Sequence, residues 1–323
     1  RGRGGQGQRA GDRVTGTGIT FIDEAAAAAL LPARERRGHK GTFGRVVAVA
    51  GSLDYAGAAL MAGSAALRAG SGLVTICVPA SLQPVIAGRV PELITHGLPE
   101  SAPYAIDPVD AAAAVGELPA DALLVGPGLP PTRANIRLVA SLLRAEGAPA
   151  VVDAGALAAL ADAPGWWDRL GRPVIVTPHP GEFARLGREA GDSDEDRRAA
   201  AVAAAGDWGV VVVLKGARTV VAAPGGRDLT ADLEAPALAT AGSGDVLAGV
   251  IASYVGQGLE PFEAAALGVY VHGLAGAWLG ERFADSGLMA TDLLTTIPRV
   301  RRYLLDGRDR GPLGFGAPAG EEP

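Results

Sequence analysis

The amino-acid sequence predicts an α/β protein whose central sheet is mostly parallel and is flanked by helices on both faces. Short, continuously apolar runs alternate along the chain with longer segments of helical periodicity. Because a strand that is apolar at every position needs cover on both faces, these runs indicate a sheet enclosed between two helical layers. The alternation of strand and helix indicates parallel strands joined by right-handed crossovers.

The apolar runs define the predicted strands, and the periodic segments define the predicted helices. We expect strands at residues 45–50, 73–78, 122–126, 149–153, 173–177 and 210–214, and a hairpin partner of the last strand at 219–223. We expect helices at residues 57–69, 133–145, 181–189, 194–207, 244–255, 261–284 and 291–304. Ligands of parallel sheets bind beyond the carboxyl ends of the strands, so candidate functional residues are sought there.

Length and composition favour one large domain. The chain has 323 residues, of which 48% are hydrophobic, and a formal net charge of −6. Both ends are rich in glycine and lack periodicity. We therefore predict a disordered N-terminal arm over residues 1–20, one domain over residues 21–305 and a flexible C-terminal tail over residues 306–323.

Composition also argues against several functional classes. The acidic balance is unlike that of a nucleic-acid-binding protein, and no apolar run is long enough to predict a membrane span. The single cysteine, Cys77, excludes a disulfide framework and a zinc ribbon, and it fits a cytoplasmic protein. Residues 2–7 match G-x-G-x-x-G by chance, because no predicted strand precedes them.

The segment TAGSGDVLAG, residues 240–249, is the strongest functional motif. A glycine-rich turn that leads into a helix presents free N–H groups and the positive end of the helix dipole, which together suit a phosphate. We predict an anion hole at Gly242, Ser243 and Gly244, with Asp245 beside it as a general base. The alternative is a carboxylate that only complements the helix dipole.

The segment VTPHPGEF, residues 176–183, places a histidine just after a predicted strand. Pro178 and Pro180 restrict the backbone on either side, so His179 should project in a defined direction towards a ligand. The alternative is a helix-capping loop with an exposed histidine. Glu182 would be a first-turn carboxylate or would hold magnesium through water.

The segment VVLKGARTVV, residues 212–221, places Lys215 between a buried strand and a turn. The chain is rich in arginine and contains two lysines, Lys40 and Lys215, which gives each lysine more weight. We predict that Lys215 meets a phosphate at the edge of the sheet; a plain edge-strand lysine is the alternative.

Weaker signals follow three other strands. Ala58 opens a helix of very small residues, which suits either a closely approaching ligand or tight packing. Gly128 lies in a Gly-Pro-Gly turn, which suits either a ligand or a simple turn. Asp153 follows a strand and would be catalytic, structural or a helix cap. His96 and His272 are predicted to be surface or packed histidines.

In their order and spacing, these motifs resemble one family. They are HKGTFGRVVAVAGS (39–52), GAALMAGSAALRAGSGLVT (57–75), VGPGL (125–129), VTPHPGE (176–182), VVLKGARTVVA (212–222) and ATAGSGDVLAGVIA (239–252). Together they resemble the ADP/ATP-dependent NAD(P)H-hydrate dehydratases, the C-terminal half of the YjeF-type repair enzymes. The resemblance implies a ribokinase-like, three-layer α/β/α fold. GSGD indicates only the superfamily, whereas HPGE with LKGARTVVA is specific to the dehydratases.

The resemblance also implies an activity. The family restores NADH and NADPH from their hydrates, NADHX and NADPHX, and consumes ADP or ATP with Mg²⁺; ADP is expected here. The proposed route phosphorylates the ring hydroxyl and then eliminates phosphate. By the matching motifs, Asp245 would deprotonate that hydroxyl and bind the hydrate with Ala58, Gly128 and His179. The residues implied for the nucleotide are Lys215, Gly216, Ala217, Arg218, Thr219 and Gly244, with Glu182 supporting magnesium indirectly.

Further expectations come from the same resemblance. They are a homotetramer and an NAD(P)H-hydrate epimerase as an attached domain or separate partner. Two positions depart from the family pattern, because Gly155 replaces the second acid of DADAL and Pro130 replaces a glycine after Leu129. The rival hypotheses are a ribokinase-like kinase of a small alcohol and a non-catalytic nucleotide-binding module.

Overall fold

The computed structural model describes residues 12–14 and 20–306. Most of the predicted N-terminal arm and nearly all of the predicted C-terminal tail lie outside these residues, as does the G-x-G-x-x-G match at residues 2–7. The domain boundaries therefore stay predictions. Among the described residues, no helix combines the length and the apolar character needed to cross a membrane.

One large sheet runs through the described part of the chain, and a small hairpin lies beside it. The order of strands in the large sheet is β1-β2-β13-β12-β11-β10-β9-β8-β3-β4-β5, and β6 pairs with β7. The strands are β1 (Asp12–Val14), β2 (Thr20–Ile22), β3 (Arg45–Val49), β4 (Leu73–Pro79), β5 (Ile94–Leu98), β6 (Glu100–Ala102), β7 (Ala105–Ile106), β8 (Ala122–Val125), β9 (Ala150–Val152), β10 (Val174–Val176), β11 (Val211–Leu214), β12 (Thr219–Ala222) and β13 (Asp228–Ala231).

The six apolar runs form the centre of this sheet, as predicted. Strands β5, β4, β3, β8, β9, β10 and β11 are parallel, and β11 turns back into β12 as an antiparallel hairpin. Successive residues of β3 alternate between two cores: Val46 and Ala48 face one, and Val47 and Val49 face the other. This two-sided burial explains why the strands are continuously apolar.

Two layers of helices cover the sheet, which confirms the α/β/α prediction. Helices α1, α2, α3, α9, α10 and α11 pack on one face, and α4 to α8 pack on the other. The helices are α1 (Glu24–Leu30), α2 (Ala56–Ala69), α3 (Gln83–Ile86), α4 (Pro108–Gly116), α5 (Arg133–Arg144), α6 (Gly155–Ala161), α7 (Pro180–Arg185), α8 (Asp194–Trp208), α9 (Ser243–Gly256), α10 (Pro261–Phe283) and α11 (Ala290–Asp306), with 3₁₀ turns at Lys40–Phe43, Trp166–Arg169 and Pro236–Leu238.

The structure corrects several details of the predicted elements. The helix predicted over 181–189 ends at Arg185, because Gly187 adopts a left-handed φ of 84° that no helix continues. The short helices α1, α3, α4 and α6 and the strands β1, β2, β5, β6, β7 and β13 were not predicted. The start of α4 could have been predicted from the sequence, because Asp107 is a typical N-cap residue and Pro108 follows it. In the structure, Asp107 accepts hydrogen bonds from the first turn of this helix.

Helices α2 and α9 pack unusually close together in one helical layer. A Cβ atom at Gly249 of α9 would lie 2.1 Å from the carbonyl oxygen of Ala62 in α2. Ala62 of α2 therefore serves helix packing.

We expect Gly249→Ala to destabilise the protein, because the added methyl group must push α9 away from α2. Overpacking of this kind costs about 1–3 kcal/mol of unfolding free energy. The control is Gly206→Ala in α8, where no atom lies within 4 Å of the added Cβ. That change should stabilise the protein by about 0.5–1 kcal/mol. Urea denaturation measures both, and equal effects of the two substitutions would contradict the packing account.

Candidate functional site

The first turn of α9, where the sequence predicts an anion hole, lies at the carboxyl edge of the sheet. Gly242 is the N-cap of the helix and has a φ of 88°, a left-handed value that favours glycine. A Cβ atom there would lie 2.6 Å from the sulfur of Met61. Ser243 begins the helix, and Asp245 lies in its first turn. The N–H groups of this turn and the helix dipole suit a phosphate.

Lys215 lies under this turn and binds two carboxylates. Its Nζ atom is 2.8 Å from Oδ1 of Asp153 and 3.6 Å from Oε2 of Glu182. Burial of the ammonium group opposes its charge, but the two carboxylates outweigh burial and raise the pKa of Lys215. A Cβ atom at Gly244 would lie 3.5 Å from this Nζ atom, so the lysine also faces the anion hole.

Asp153, whose role the sequence left open, is the buried counter-charge of Lys215. Its side chain is almost fully buried and accepts a 2.7 Å hydrogen bond from the hydroxyl of Thr177. Helix α6 has Ala154, not Asp153, at its N-cap position, so the helix-cap alternative is wrong. Sequence reasoning missed Thr177, which lies two residues before His179 in the same motif.

The pKa of Asp245 suits a general base that acts near neutral pH. Burial, followed by repulsion from Asp153, raises its pKa to about 6, Lys215 opposes this rise, and Glu182 adds to it. A carboxyl group with such a pKa is ionised at neutral pH and is more basic than an exposed aspartate. The carboxylate therefore stands beside the anion hole in a form that can accept a proton.

His179 caps helix α7 while part of its ring stays exposed. Its Nδ1 atom accepts hydrogen bonds from the backbone N–H groups of Gly181 (3.0 Å) and Glu182 (3.3 Å). In return, Oε2 of Glu182 accepts a 2.9 Å hydrogen bond from the N–H of His179. This capping box fixes the imidazole and the Glu182 carboxylate together. The capping interpretation is thus correct, and the Nε2 atom of the partly exposed ring lies 3.6 Å from Oε2 of Glu182.

A cavity of about 530 Å³ adjoins the anion hole. Most of its wall is apolar, which suits the flat face of a nucleobase, and its polar end carries Lys215. Of the predicted nucleotide-binding residues, Lys215, Gly216, Ala217, Thr219 and Gly244 line it, together with Ser243 of the anion hole. Sequence reasoning missed the rest of the wall, which includes Leu233, Glu234, Ala235, Pro236, Leu238, Ala239, Leu247, Val269, His272 and Gly273.

Arg218 is the predicted nucleotide residue that is not part of the cavity wall. Its guanidinium binds Asp194 at 2.7 Å and Asp232 at 2.9 Å, and it lies 3.1 Å from Glu234. Hydrogen bonding to Asp194 is the main cause that raises its pKa. In this structure Arg218 therefore joins α8 to the segment after β13, and its contact with a nucleotide stays a prediction.

Two of the predicted substrate-binding residues, Ala58 and Gly128, lie in contact with each other. Gly128 has a φ of 70°, and a Cβ atom there would lie 2.7 Å from the Tyr55 carbonyl oxygen and 2.9 Å from the Ala58 Cβ. The N–H of Gly51 donates a 2.7 Å hydrogen bond to the carbonyl of Pro127. The Gly-Pro-Gly turn is thereby joined to the start of α2.

The departure from the family pattern at Gly155 has a steric reason. A Cβ atom at this position would lie 1.8 Å from the carbonyl oxygen of Leu129. A Cβ atom at Gly126 would likewise lie 1.8 Å from the carbonyl oxygen of Asp153. The two backbone segments are therefore in direct contact, and the turn that carries Gly128 leaves no room for an aspartate at position 155.

The carboxylates of the site fit magnesium in one limited way. Among residues 12–14 and 20–306, no group of three or more His, Cys, Asp or Glu side chains is arranged to hold a metal ion. Magnesium usually keeps several waters and is held by one or two carboxylates together with substrate phosphates. Glu182 and Asp153, which lie near the first turn of α9, suit that mode.

Comparisons with known proteins agree with the resemblance. A family model described as NAD(P)H-hydrate dehydratase matches residues 46–299. The bifunctional NAD(P)H-hydrate repair enzyme Nnr of Moorella thermoacetica is 47% identical over 280 residues, 85% of this chain and 52% of that protein. The ADP-dependent (S)-NAD(P)H-hydrate dehydratase of Xanthomonas campestris is 37% identical over 306 residues, 92% of this chain and 100% of that protein.

A solved structure is also similar. It is the ADP/ATP-dependent NAD(P)H-hydrate dehydratase of Bacillus subtilis, co-crystallised with ATP and Mg²⁺. It superposes with a TM-score of 0.77 at 33% identity and covers 88% of this chain and 98% of that one. The chain spans about half the length of the bifunctional relatives that it matches.

The charges around Asp245 predict that two substitutions shift its pKa in opposite directions. Lys215→Met should raise the pKa of Asp245 above its value of about 6, because it removes the charge that favours the carboxylate. Asp153→Asn should lower that pKa, because it removes a repelling charge. The titration of the Asp245 carboxyl carbon by NMR measures both changes.

Lys40→Met is the matched control for this titration. Lys40 is the other lysine of the chain, and its carbonyl packs against Gly72, just before β4, at the opposite end of the sheet. Its removal should leave the titration unchanged. A pKa of Asp245 that fell in Lys215→Met or rose in Asp153→Asn would contradict the assigned charges.

Proposed function

Because the chain belongs to the NAD(P)H-hydrate dehydratase family, we propose that it restores NADH and NADPH from NADHX and NADPHX, using ADP or ATP. The observation that carries this proposal is the position of Asp245. Its carboxylate, with a pKa raised to about 6, lies in the first turn of the helix whose N–H groups suit a phosphate. A base and an anion hole are thus combined in one turn.

The first step is the transfer of a phosphoryl group to the hydrate. Asp245 accepts the proton of the ring hydroxyl, and the hydroxyl oxygen attacks the terminal phosphorus of the nucleotide. A bond forms between that oxygen and phosphorus while the bridging P–O bond breaks, releasing AMP from ADP or ADP from ATP. Such transfer depends mainly on positioning and charge stabilisation, which the α9 turn and Lys215 supply.

The second step is elimination. The C–O bond of the phosphate ester breaks and phosphate departs with the oxygen of the former hydroxyl group. The adjacent ring carbon loses a proton, and its electrons form the carbon–carbon double bond of the dihydronicotinamide. No electron acceptor is needed, since dehydration changes no net oxidation state. Phosphate is a far better leaving group than hydroxide, which explains why a nucleotide is consumed.

The two ligands would occupy adjoining parts of the site. The apolar cavity beside Lys215 and Gly244 takes the adenine nucleotide, with the phosphates at the α9 turn. The hydrate would lie on the side of Ala58, Gly128 and the partly exposed ring of His179, so that its hydroxyl meets Asp245. Magnesium, held by Glu182 through water and by the phosphates, would neutralise negative charge on the phosphoryl group.

Several finer points belong to the same proposal. ADP is the expected donor, in keeping with the name of the Xanthomonas relative. An NAD(P)H-hydrate epimerase is the proposed partner, because relatives such as the Moorella protein carry the name of bifunctional repair enzymes. A cytoplasmic location and a homotetramer stay predictions from the resemblance.

Asp245→Asn should abolish most of the dehydratase activity while leaving nucleotide binding intact. The amide cannot accept the hydroxyl proton, and loss of a general base typically costs about a hundredfold to ten-thousandfold in rate. The assay follows recovery of NADH absorbance from purified NADHX with Mg²⁺ and either ADP or ATP. The faster nucleotide identifies the donor.

The control substitution is Asp110→Asn, which changes an exposed aspartate in the first turn of α4 in the opposite helical layer. It should retain full activity. Folded wild-type protein that binds nucleotide but recovers no NADH would refute the dehydratase and favour a kinase of small alcohols. Full activity in Asp245→Asn would keep the function and refute the assigned base.

A further inference from the structure

His272 of α10 is a buried residue of the cavity wall to which the proposed reaction assigns no role. Its Nε2 atom lies 3.0 Å from the carbonyl oxygen of Ser243. A carbonyl oxygen only accepts hydrogen bonds, so Nε2 carries the proton and donates it. Burial, partly offset by this hydrogen bond and reinforced by Lys215, lowers the pKa of His272 to about 4. The imidazole is therefore neutral at neutral pH.

Ser243 is held from two directions. Its hydroxyl donates a 2.8 Å hydrogen bond to the carbonyl of Leu238, and its own carbonyl accepts from His272. Leu238 in turn packs against α10, where a Cβ atom at Gly276 would lie 2.4 Å from its Cγ. Helix α10 thus contacts both the Pro236–Leu238 turn and the first residue of α9. These contacts connect α10 to the residue from which the first turn of α9 begins.

We propose that His272 is a positioning residue for the phosphate-binding turn, acting through its hydrogen bond to the Ser243 carbonyl. The inference rests on the proposed function in one respect, namely that the cavity and the turn bind an adenine nucleotide. It goes beyond that function because it assigns the alignment of the anion hole to a side chain on a different helix. A neutral donor suits this role, because it fixes the carbonyl without placing a second cation beside Lys215.

The competing explanation is that His272 only fills space in the cavity wall. The two explanations differ in the part of the nucleotide that they affect. A positioning residue controls the phosphate contacts, so its loss weakens the binding of ADP. The binding of adenosine, which has no phosphate, stays almost unchanged. A residue that only shapes the wall affects both ligands equally.

The experiment compares the binding of ADP and adenosine by calorimetry in wild type, His272→Leu and His272→Gln. Leucine removes the donor, whereas the amide nitrogen of glutamine stands close to the position of Nε2 and keeps it. We expect His272→Leu to weaken the binding of ADP about tenfold, because a buried hydrogen bond is lost, and to change the affinity for adenosine by less than about twofold. His272→Gln should restore most of the ADP affinity.

Val269→Ala is the matched control, because Val269 lines the same cavity one turn earlier on α10. This substitution should change the affinities for ADP and adenosine by the same factor. If His272→Leu does not fold, His272→Asn replaces it, since the shorter amide does not reach the Ser243 carbonyl.

Three results would overturn the inference. They are equal losses of ADP and adenosine in His272→Leu, no difference between leucine and glutamine, and an ADP affinity that no substitution changes. Wild-type protein that bound neither ligand would refute the nucleotide site itself. NADH recovery measured on the same wild-type sample separates that result from a failure of the dehydratase proposal.

Discussion

The ammonium group of Lys215 lies 2.8 Å from Asp153 and 3.6 Å from Glu182, and the three residues follow β11, β9 and β10, which are neighbours in the sheet. Together with Asp245, three carboxylates meet in a largely buried space, where repulsion between them would otherwise drive protonation. Lys215 balances this charge. Its compact ammonium group carries three donors and lies within reach of both carboxylates in this buried space.

This charge balance links the two halves of the proposed chemistry. Lys215 and Gly244 also line the apolar cavity, so the cation that stabilises the carboxylates is the one that would meet the phosphates of a nucleotide. Asp245 keeps a pKa of about 6 because burial and Asp153 outweigh the lysine. In the proposed reaction, these charged groups therefore supply the base that accepts the hydroxyl proton. They also bind the phosphoryl group that the hydroxyl oxygen attacks.

The sequence predicted the centre of the fold well, and it predicted which side chains meet at one edge of the sheet. Two-sided burial gives the central strands a continuous apolar pattern, and motifs at their carboxyl ends must meet at one edge, which brings Lys215, Glu182 and Asp245 together. Contacts between residues that are distant in the chain could not be predicted from the sequence. The bond from Thr177 to Asp153, the turn of Arg218 towards Asp194 and the contact of His272 with Ser243 each depend on packing between elements. Short outer strands such as β13 lack the apolar pattern altogether.

In the proposed reaction, the hydroxyl oxygen of the hydrate leaves as part of a phosphate group. The most direct test of this step uses NADHX labelled with ¹⁸O in the ring hydroxyl, incubated with the protein, Mg²⁺ and the preferred nucleotide. Mass spectrometry of the products then locates the label. We expect one ¹⁸O atom in inorganic phosphate for each NADH formed. Label released into water, with unlabelled phosphate, would show that the nucleotide is hydrolysed separately and would contradict phosphorylation of the hydroxyl.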